Sequence, residues 1–415
     1  MTRLEPIQQS WMNAADTRSV MDALAREGGE ARFVGGAVRN ALLGLPVADV
    51  DIATPLVPDE VMTRLTAAKI PFVPTGLEHG TLTALVNGKP FEITTLRRDV
   101  STDGRRAVVA FTKDWKEDAS RRDFTLNALY ASADGEVFDY FNGVADLKAG
   151  HIRFVGDPAQ RIREDYLRIL RLFRFHAWYG KGDLDSDALH AAAAEKAGLA
   201  QLSGERISKE MLRLLAAENP VPVLRRMGAA QILVEILPGA LQLQRLERLV
   251  AIDNANFFAA DPLLRLAALL PNDVAAAGAV ADRWKLSNAD RDRLVDLAGS
   301  AGEKIVSWLS IREVRKLLYR LGAQRLRDRV MLRWADDQKE TNSVQWRAML
   351  ALCDAWVRPA FPLSGRDVMN AGVPEGPLVG RILGEVEEWW IDSDFTGDEF
   401  SLAERLKAVV QAMAY

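Results

Sequence analysis

The sequence predicts an α+β N-terminal head, built from a mixed or antiparallel sheet with helices, followed by an all-α remainder. Three observations carry this. Through residue 147, apolar alternation of period two is interleaved with 3.6-period stretches. From Pro158 onward nearly every apolar run keeps the helical period. That helical part is broken by Gly or Pro at 180–183, 220, 238–239, 271–272, 302, 359–362 and 374–377. A chain of 415 residues is longer than one ordinary domain, so two to four units are expected. We place them at 1–147 (head), 148–220 (helical neck), 221–356 (helical body) and 357–415 (helical tail), with 357–365 as the clearest linker.

Within the head, 16–28 reads as an amphipathic helix and 32–34 as a buried strand. Gly35-Gly36 then supplies a tight turn, and 37–43 carries helix formers up to a stop at Gly44. Residues 47–54 alternate, which puts Asp49 and Asp51 on one strand face and Val50 and Ile52 on the other. A helix over 58–69 precedes two strands, 80–86 and 90–96, joined by the hairpin dipeptide Asn87-Gly88. Residues 97–115 bring Arg97, Arg98, Arg105 and Arg106 around Asp103-Gly104, the composition of a mobile loop or a basic hairpin. A helical run over 118–131 and a last strand over 136–141 complete the head.

Bulk composition narrows the function classes. A formal net charge of −4 and a pI near 5.8 give no global sign of a nucleic-acid partner, so any RNA contact must come from local basic clusters. Cys353 is the only cysteine, which excludes intrachain disulfides and cysteine-cluster metal sites and fits a reducing compartment. The first residues lack an apolar signal core and no apolar run is long enough for a bilayer, so a cytoplasmic protein without membrane partner is expected. The four histidines are scattered without metal-ligand spacing, and neither a Walker loop nor a serine elbow is present.

The chemistry concentrates first in 31–54. Two like charges on one strand face repel, and a divalent cation between Asp49 and Asp51 explains them most simply. A helix opening after Gly35-Gly36 directs free N–H groups toward an anion, and Arg39, one turn in, can clamp it. Together these are the parts needed to transfer a nucleotidyl or phosphoryl group; singly, each reads equally as an ordinary turn or a solvated strand end. Glu92 is a candidate third carboxylate, or a solvated strand residue. In 120–130, Arg122, Asp123 and Asn127 combine guanidinium, carboxylate and amide, enough to hold a ribose and a triphosphate, or merely to cap a helix. In 161–175, Ile162, Leu167, Leu170 and Phe173 form one side of a helix while Asp165, Arg168, Arg171 and Arg174 rise on another, as a ligand face or a salt-bridge stripe. Two later basic faces, Arg206/Lys209/Arg213 and the eight Arg and Lys residues of 312–333, offer RNA-backbone contacts or are simply solvated.

GGAVRN-ALLG followed by DVD resembles the first motif of the class II tRNA nucleotidyltransferases, the CCA-adding enzymes and bacterial poly(A) polymerases of the polymerase-β superfamily. One position departs: Asn40 stands where the family motif has Asp, a change we assign to local hydrogen bonding rather than to chemistry. SRRDFTLNALY resembles the second motif, EDYLRILR the family's base-template motif, and 362–390 the C-terminal part of the family.

The resemblance implies a nucleotidyltransferase that adds CMP and AMP from CTP and ATP to the 3′ end of tRNA. Asp49 and Asp51 then hold two Mg2+ ions, Gly35, Gly36 and Arg39 bind phosphate, and Arg122, Asp123 and Asn127 hold ribose and triphosphate. Asp165 and Arg168 choose the base, with Arg171 and Arg174 in support. The choice follows from donor and acceptor order. Carboxylate beside guanidinium matches the amine and bare ring nitrogen of C and A, and mismatches U and G, so no nucleic-acid template is required. A poly(A) polymerase or a partial CC- or A-adding enzyme fits the same residues, and a non-catalytic RNA-binding protein is the reading from another class.

Overall fold

The computed structural model describes residues 2–5, 8–103 and 106–413. The chain divides into two compact units, 1–239 with 260–262 and 279–287, and 240–259 with 263–278 and 288–415.

In the first unit seven strands form one sheet in the order β3-β4-β5-β2-β1-β8-β9. They are β1 (Arg32–Val34), β2 (Asp51–Thr54), β3 (Phe72–Gly76), β4 (Thr81–Val86), β5 (Lys89–Thr95), β8 (Leu129–Ala131) and β9 (Val137–Asp139). Every pairing is antiparallel except β2 with β5, where Asp51 stands opposite Glu92. The β4–β5 turn has Asn87 at φ 51° and Gly88 at φ 78°, the two left-handed residues a two-residue hairpin needs. Helices α1 (Ala15–Ala25), α2 (Gly36–Leu42) and α3 (Pro58–Ala67) belong to the head. The sheet is covered on both sides: Phe33, Ile52 and Ile93 are buried on one face, while Val34, Ala53, Trp115 and Tyr130 cluster on the other.

Three expected elements come out differently. Regular strand begins only at Asp51, and Asp49 lies in the exposed irregular segment before it, because residues 52–54 belong to a central strand buried on both faces. The helical run expected over 118–131 is instead α4 (Trp115–Ser120), a single 3₁₀ turn (Thr125–Asn127) and strand β8. Residues 128–131 are wholly buried, and so short an apolar run pairs with β1 and β9 as readily as it would coil. The segment after Leu96, by contrast, takes the second of its two expected forms, a separate antiparallel hairpin of β6 (Arg97–Asp103) with β7 (Arg106–Phe111); Gly104 and Arg105 lie outside the described residues.

The third difference is the helix expected over 161–175. It is two helices, α5 (Pro158–Glu164) and α6 (Leu167–Tyr179), separated at Asp165 (φ −158°, ψ 105°). The Asp165 carboxylate accepts the Leu167 N–H at 3.1 Å, a turn that competes with continued helix. Helix α7 (Gly204–Leu215) packs on α6.

In the second unit, α8 (Ile311–Leu321) and α9 (Ala323–Asp336) carry the basic stretch of 312–333. Seven of its eight cations are ion-paired within the unit, for example Arg315 with Asp394, Lys316 with Asp392, Arg327 with Asp354 and Arg329 with Asp296. The face read as either an RNA contact or a solvated surface is thus largely engaged in ion pairs of its own unit. Trp390 is buried in a core with Tyr319, Val368 and Val386, and Trp389 packs against that core from the side.

Candidate active site

Gly35 ends β1 at φ 66°, a left-handed conformation that side chains rarely adopt, and donates its N–H to the Leu129 carbonyl at 3.0 Å. The turn opens α2, a helix of only seven residues. Arg39 on that helix is buried, and its guanidinium is already engaged. It donates to Asn127 Oδ1 at 2.7 Å, to Tyr179 Oη at 2.9 Å and to Asn40 Oδ1 at 3.1 and 2.9 Å. Asn40 uses its other end as a donor, to the Pro46 carbonyl at 3.1 Å. A carboxylate at this position could accept from Arg39 but not donate to Pro46. The amide therefore ties α2 to the irregular segment that leads into Asp49 and Asp51.

Asp51 is partly buried at the start of β2, opposite Glu92. Burial, reinforced by the charges of Glu92 and Asp49, pushes its carboxyl up to about 6 against the pull of Arg122. Asp49 and Glu92 are exposed. Among the described residues, no three or more His, Cys, Asp and Glu side chains form a group ready to hold a metal ion. The donors near Asp51 are hard carboxylate oxygens that repel one another, which suits a magnesium-like cation.

Arg122 follows α4. Its Nε donates to Tyr130 Oη at 3.0 Å and its Nη2 to Asp118 Oδ2 at 3.0 Å. Asp118 is 1% exposed, and also accepts from Tyr130 at 2.6 Å, from Arg121 and from the Arg97 backbone at the root of the β6–β7 hairpin. Burial alone would raise its carboxyl, but the Arg122 and Arg121 guanidiniums hold it far below the usual range. Asp123 accepts from Asn127 at 3.0 Å and from Arg171 Nε at 2.8 Å. Arg171, with Asn127, overcomes burial to hold the Asp123 carboxyl at about 2. Asn127 thus bridges Asp123 to Arg39, across an extended residue and a 3₁₀ turn rather than a helical one.

Asp165 and Arg168 both line the cleft, but their side chains do not pair with each other. Asp165 accepts from Arg206 of α7 at 2.7 Å, and Arg168 donates to Glu164 at 2.5 Å, to the Arg161 carbonyl at 2.7 Å and to the Arg121 carbonyl at 3.3 Å. The helix break explains the change of partner, since it takes Asp165 off the three-residue stripe. Arg174 pairs with Glu210 of α7, which is 3% exposed and lies 3.5 Å from Arg171.

Asp118, Tyr179 and Glu210 are the functional neighbours that sequence reasoning missed. Only Glu210 had a signal, its place four residues beyond Arg206 on one helix.

One cleft of about 550 Å³ is lined by Gly35, Gly36, Asn127, seven arginines and three aspartates, Asp51, Asp123 and Asp165. Such an excess of fixed positive charge in a concave site suits a polyanion of triphosphate size.

Comparison with known proteins matches residues 31–153 to the family described as the poly A polymerase head domain, and residues 183–243 to that described as the probable RNA and SrmB- binding site of polymerase A. The mitochondrial CCA tRNA nucleotidyltransferase 1 of Mus musculus is 34% identical over 404 residues, 94% of this chain and 89% of that protein. The CCA-adding enzyme of Levilactobacillus brevis is 33% identical over 378 residues, 89% of this chain and 91% of its own length. Among solved structures, the Bacillus stearothermophilus CCA-adding enzyme in complex with CTP superposes with a TM-score of 0.77 at 27% identity, covering 96% of this chain and 98% of that one. The Thermotoga maritima CCA-adding enzyme complexed with tRNA has a TM-score of 0.66 over 99% and 97% of the two chains, and at 21% identity speaks for the fold alone.

Proposed function

We propose that this chain, which belongs to the family of the CCA-adding tRNA nucleotidyltransferases, adds CMP and AMP from CTP and ATP to the 3′ end of tRNA without a nucleic-acid template. The observation that carries the reading is the cleft, in which seven arginines converge beside an Asp51 whose carboxyl is pushed up by burial and, to a lesser degree, by its acidic neighbours. The division of labour follows the sequence: 1–147 carries the chemistry, 148–220 reads the base, and 221–356 and 357–415 hold RNA.

Asp51 and Asp49, with Glu92 opposite Asp51 on the paired strand, supply mutually repelling carboxylates, a donor set that fits two Mg2+ ions. When bound, Mg2+ supplies neutralisation of the developing phosphoryl charge and activation of the RNA 3′-hydroxyl. The remaining work belongs to the chain. Gly35 and Gly36 leave room for phosphate oxygens to approach backbone, and Arg39 and Arg122, each fixed by two or more partners, present oriented donors at low reorganisation cost. Asp123 and Asn127, locked by Arg171 and Arg39, offer oxygen and amide groups to ribose hydroxyls. At the far end Asp165 accepts and Arg168 donates toward the base edge. Their orientations are set in advance by Arg206 on one side and by Glu164 with two carbonyls on the other.

The test is purified protein with a tRNA lacking its 3′ end, and CTP and ATP supplied singly and together. Two C additions with CTP alone and three nucleotides with both support the reading. A long A tail would favour the poly(A) polymerase alternative, which the name of the matched head family suggests. Arrest after CC, or addition of A alone, would mark a partial enzyme.

A further inference from the structure

One edge of the cleft has no role in the scheme above. Six of the seven cleft arginines are tied to side-chain partners, whereas among the described residues Arg213 forms no ion pair and its side chain is exposed. Its carbonyl accepts the indole N–H of Trp178 at 2.8 Å. Trp178 is 49% exposed, and no other ring or guanidinium packs on it among the described residues. It lies seven residues, two helical turns, beyond the cleft-lining Arg171, so it continues that face of α6. Its neighbour Tyr179 holds Arg39. The pair therefore stands at the glycine-turn end of the cleft, far from Asp165 at the other end of α6.

We propose that Trp178 and Arg213 form the subsite for the single-stranded 3′ end of the RNA acceptor. An indole fixed by its N–H keeps one face for a base to stack on, and the guanidinium of Arg213, which lines the cleft without an ion pair, takes a backbone phosphate. The incoming nucleotide occupies the arginines already tied down, while the acceptor needs a cation and an apolar surface that are still free. Arg213 also falls within the segment matched by the probable RNA-binding family. The inference rests on reading the cleft as a site of transfer to RNA.

The test measures KM for CTP and for tRNA lacking its 3′ end separately in Trp178→Ala, Trp178→Phe and Arg213→Ala. Filter binding to the same tRNA with and without unpaired 3′ nucleotides runs beside it. Trp178→Ala should raise the RNA KM by about tenfold and leave the CTP KM within about twofold, as loss of one stacked base predicts. Trp178→Phe should restore most of the loss. Arg213→Ala should weaken RNA binding and lower its salt slope by about one. A rise in the CTP KM instead would assign the edge to the triphosphate. Equal loss on the blunt RNA, or no change at all, would overturn the subsite. If the wild-type protein transfers nothing to RNA the functional reading fails, yet the binding comparison still decides the fate of Trp178.

Discussion

Replacing Asp51 with Asn should abolish nucleotide incorporation and at the same time stabilise the metal-free protein. The Asp51 carboxyl is pushed up to about 6 by burial, Glu92 and Asp49. An unfolded aspartate titrates near about 3.9, so the difference amounts to about 3 kcal/mol. For a carboxyl raised in the native state, the contribution favours folding below the unfolded value and is lost as pH rises through about 6. Above that pH the native state bears nearly the whole penalty. Asn removes the charge at little change in volume, and even half the penalty, about 1.5 kcal/mol, would raise the melting temperature by about 3–6 °C for a unit of this size. The assay is thermal unfolding of both proteins in EDTA at pH 7.5 and at pH 4.5, where the gain should shrink below about 1 kcal/mol. Added Mg2+ should then stabilise the wild type and not the variant. No rise at pH 7.5, or an equal rise at pH 4.5, would refute the reasoning.

Three further changes probe the supports of the site. Asn40→Asp keeps the acceptor for Arg39 and loses the donor to Pro46, so kcat/KM for CTP should fall by no more than about tenfold; Asn40→Ala loses both and should cost more than the Asp variant. Glu210→Ala leaves Arg174 without its partner and Arg171 without a nearby charge. Denaturant unfolding should show a loss of about 3–5 kcal/mol, and Glu210→Gln a smaller one. Arg206→Ala releases Asp165 and should reduce discrimination against UTP and GTP by about tenfold, one charge-assisted hydrogen bond, in competition assays with CTP. Unaltered discrimination would detach Arg206 from base choice.

The strand-turn-helix around Gly35-Gly36 was legible because every element of it is local: the left-handed glycine, the short helix and the buried strand are each fixed by near neighbours in sequence. The Asn87-Gly88 hairpin was legible for the same reason. Residues 118–131 were misread because their apolar run fits either period, and only pairing with β1 and β9 decides between them. The partner of Asp165 was hidden by one local bond, from its carboxylate to the Leu167 N–H, which breaks the helix and turns the side chain toward α7. Glu210 and Tyr179 reach the cleft-lining Arg174 and Arg39 through helix packing, which no spacing within a single segment encodes.

The arginine-lined cleft sits in a chain whose formal net charge is −4. An approaching RNA therefore meets mild repulsion at distances beyond about 10 Å and strong attraction only near the cleft mouth. Added salt screens the distant field first, so modest ionic strength should speed encounter before higher salt weakens the bound state. The association rate is then expected to pass through a maximum as salt is increased, unlike that of a uniformly basic RNA-binding protein. The same geometry favours polyanions small or flexible enough to thread into the cleft over rigid duplexes held at its rim.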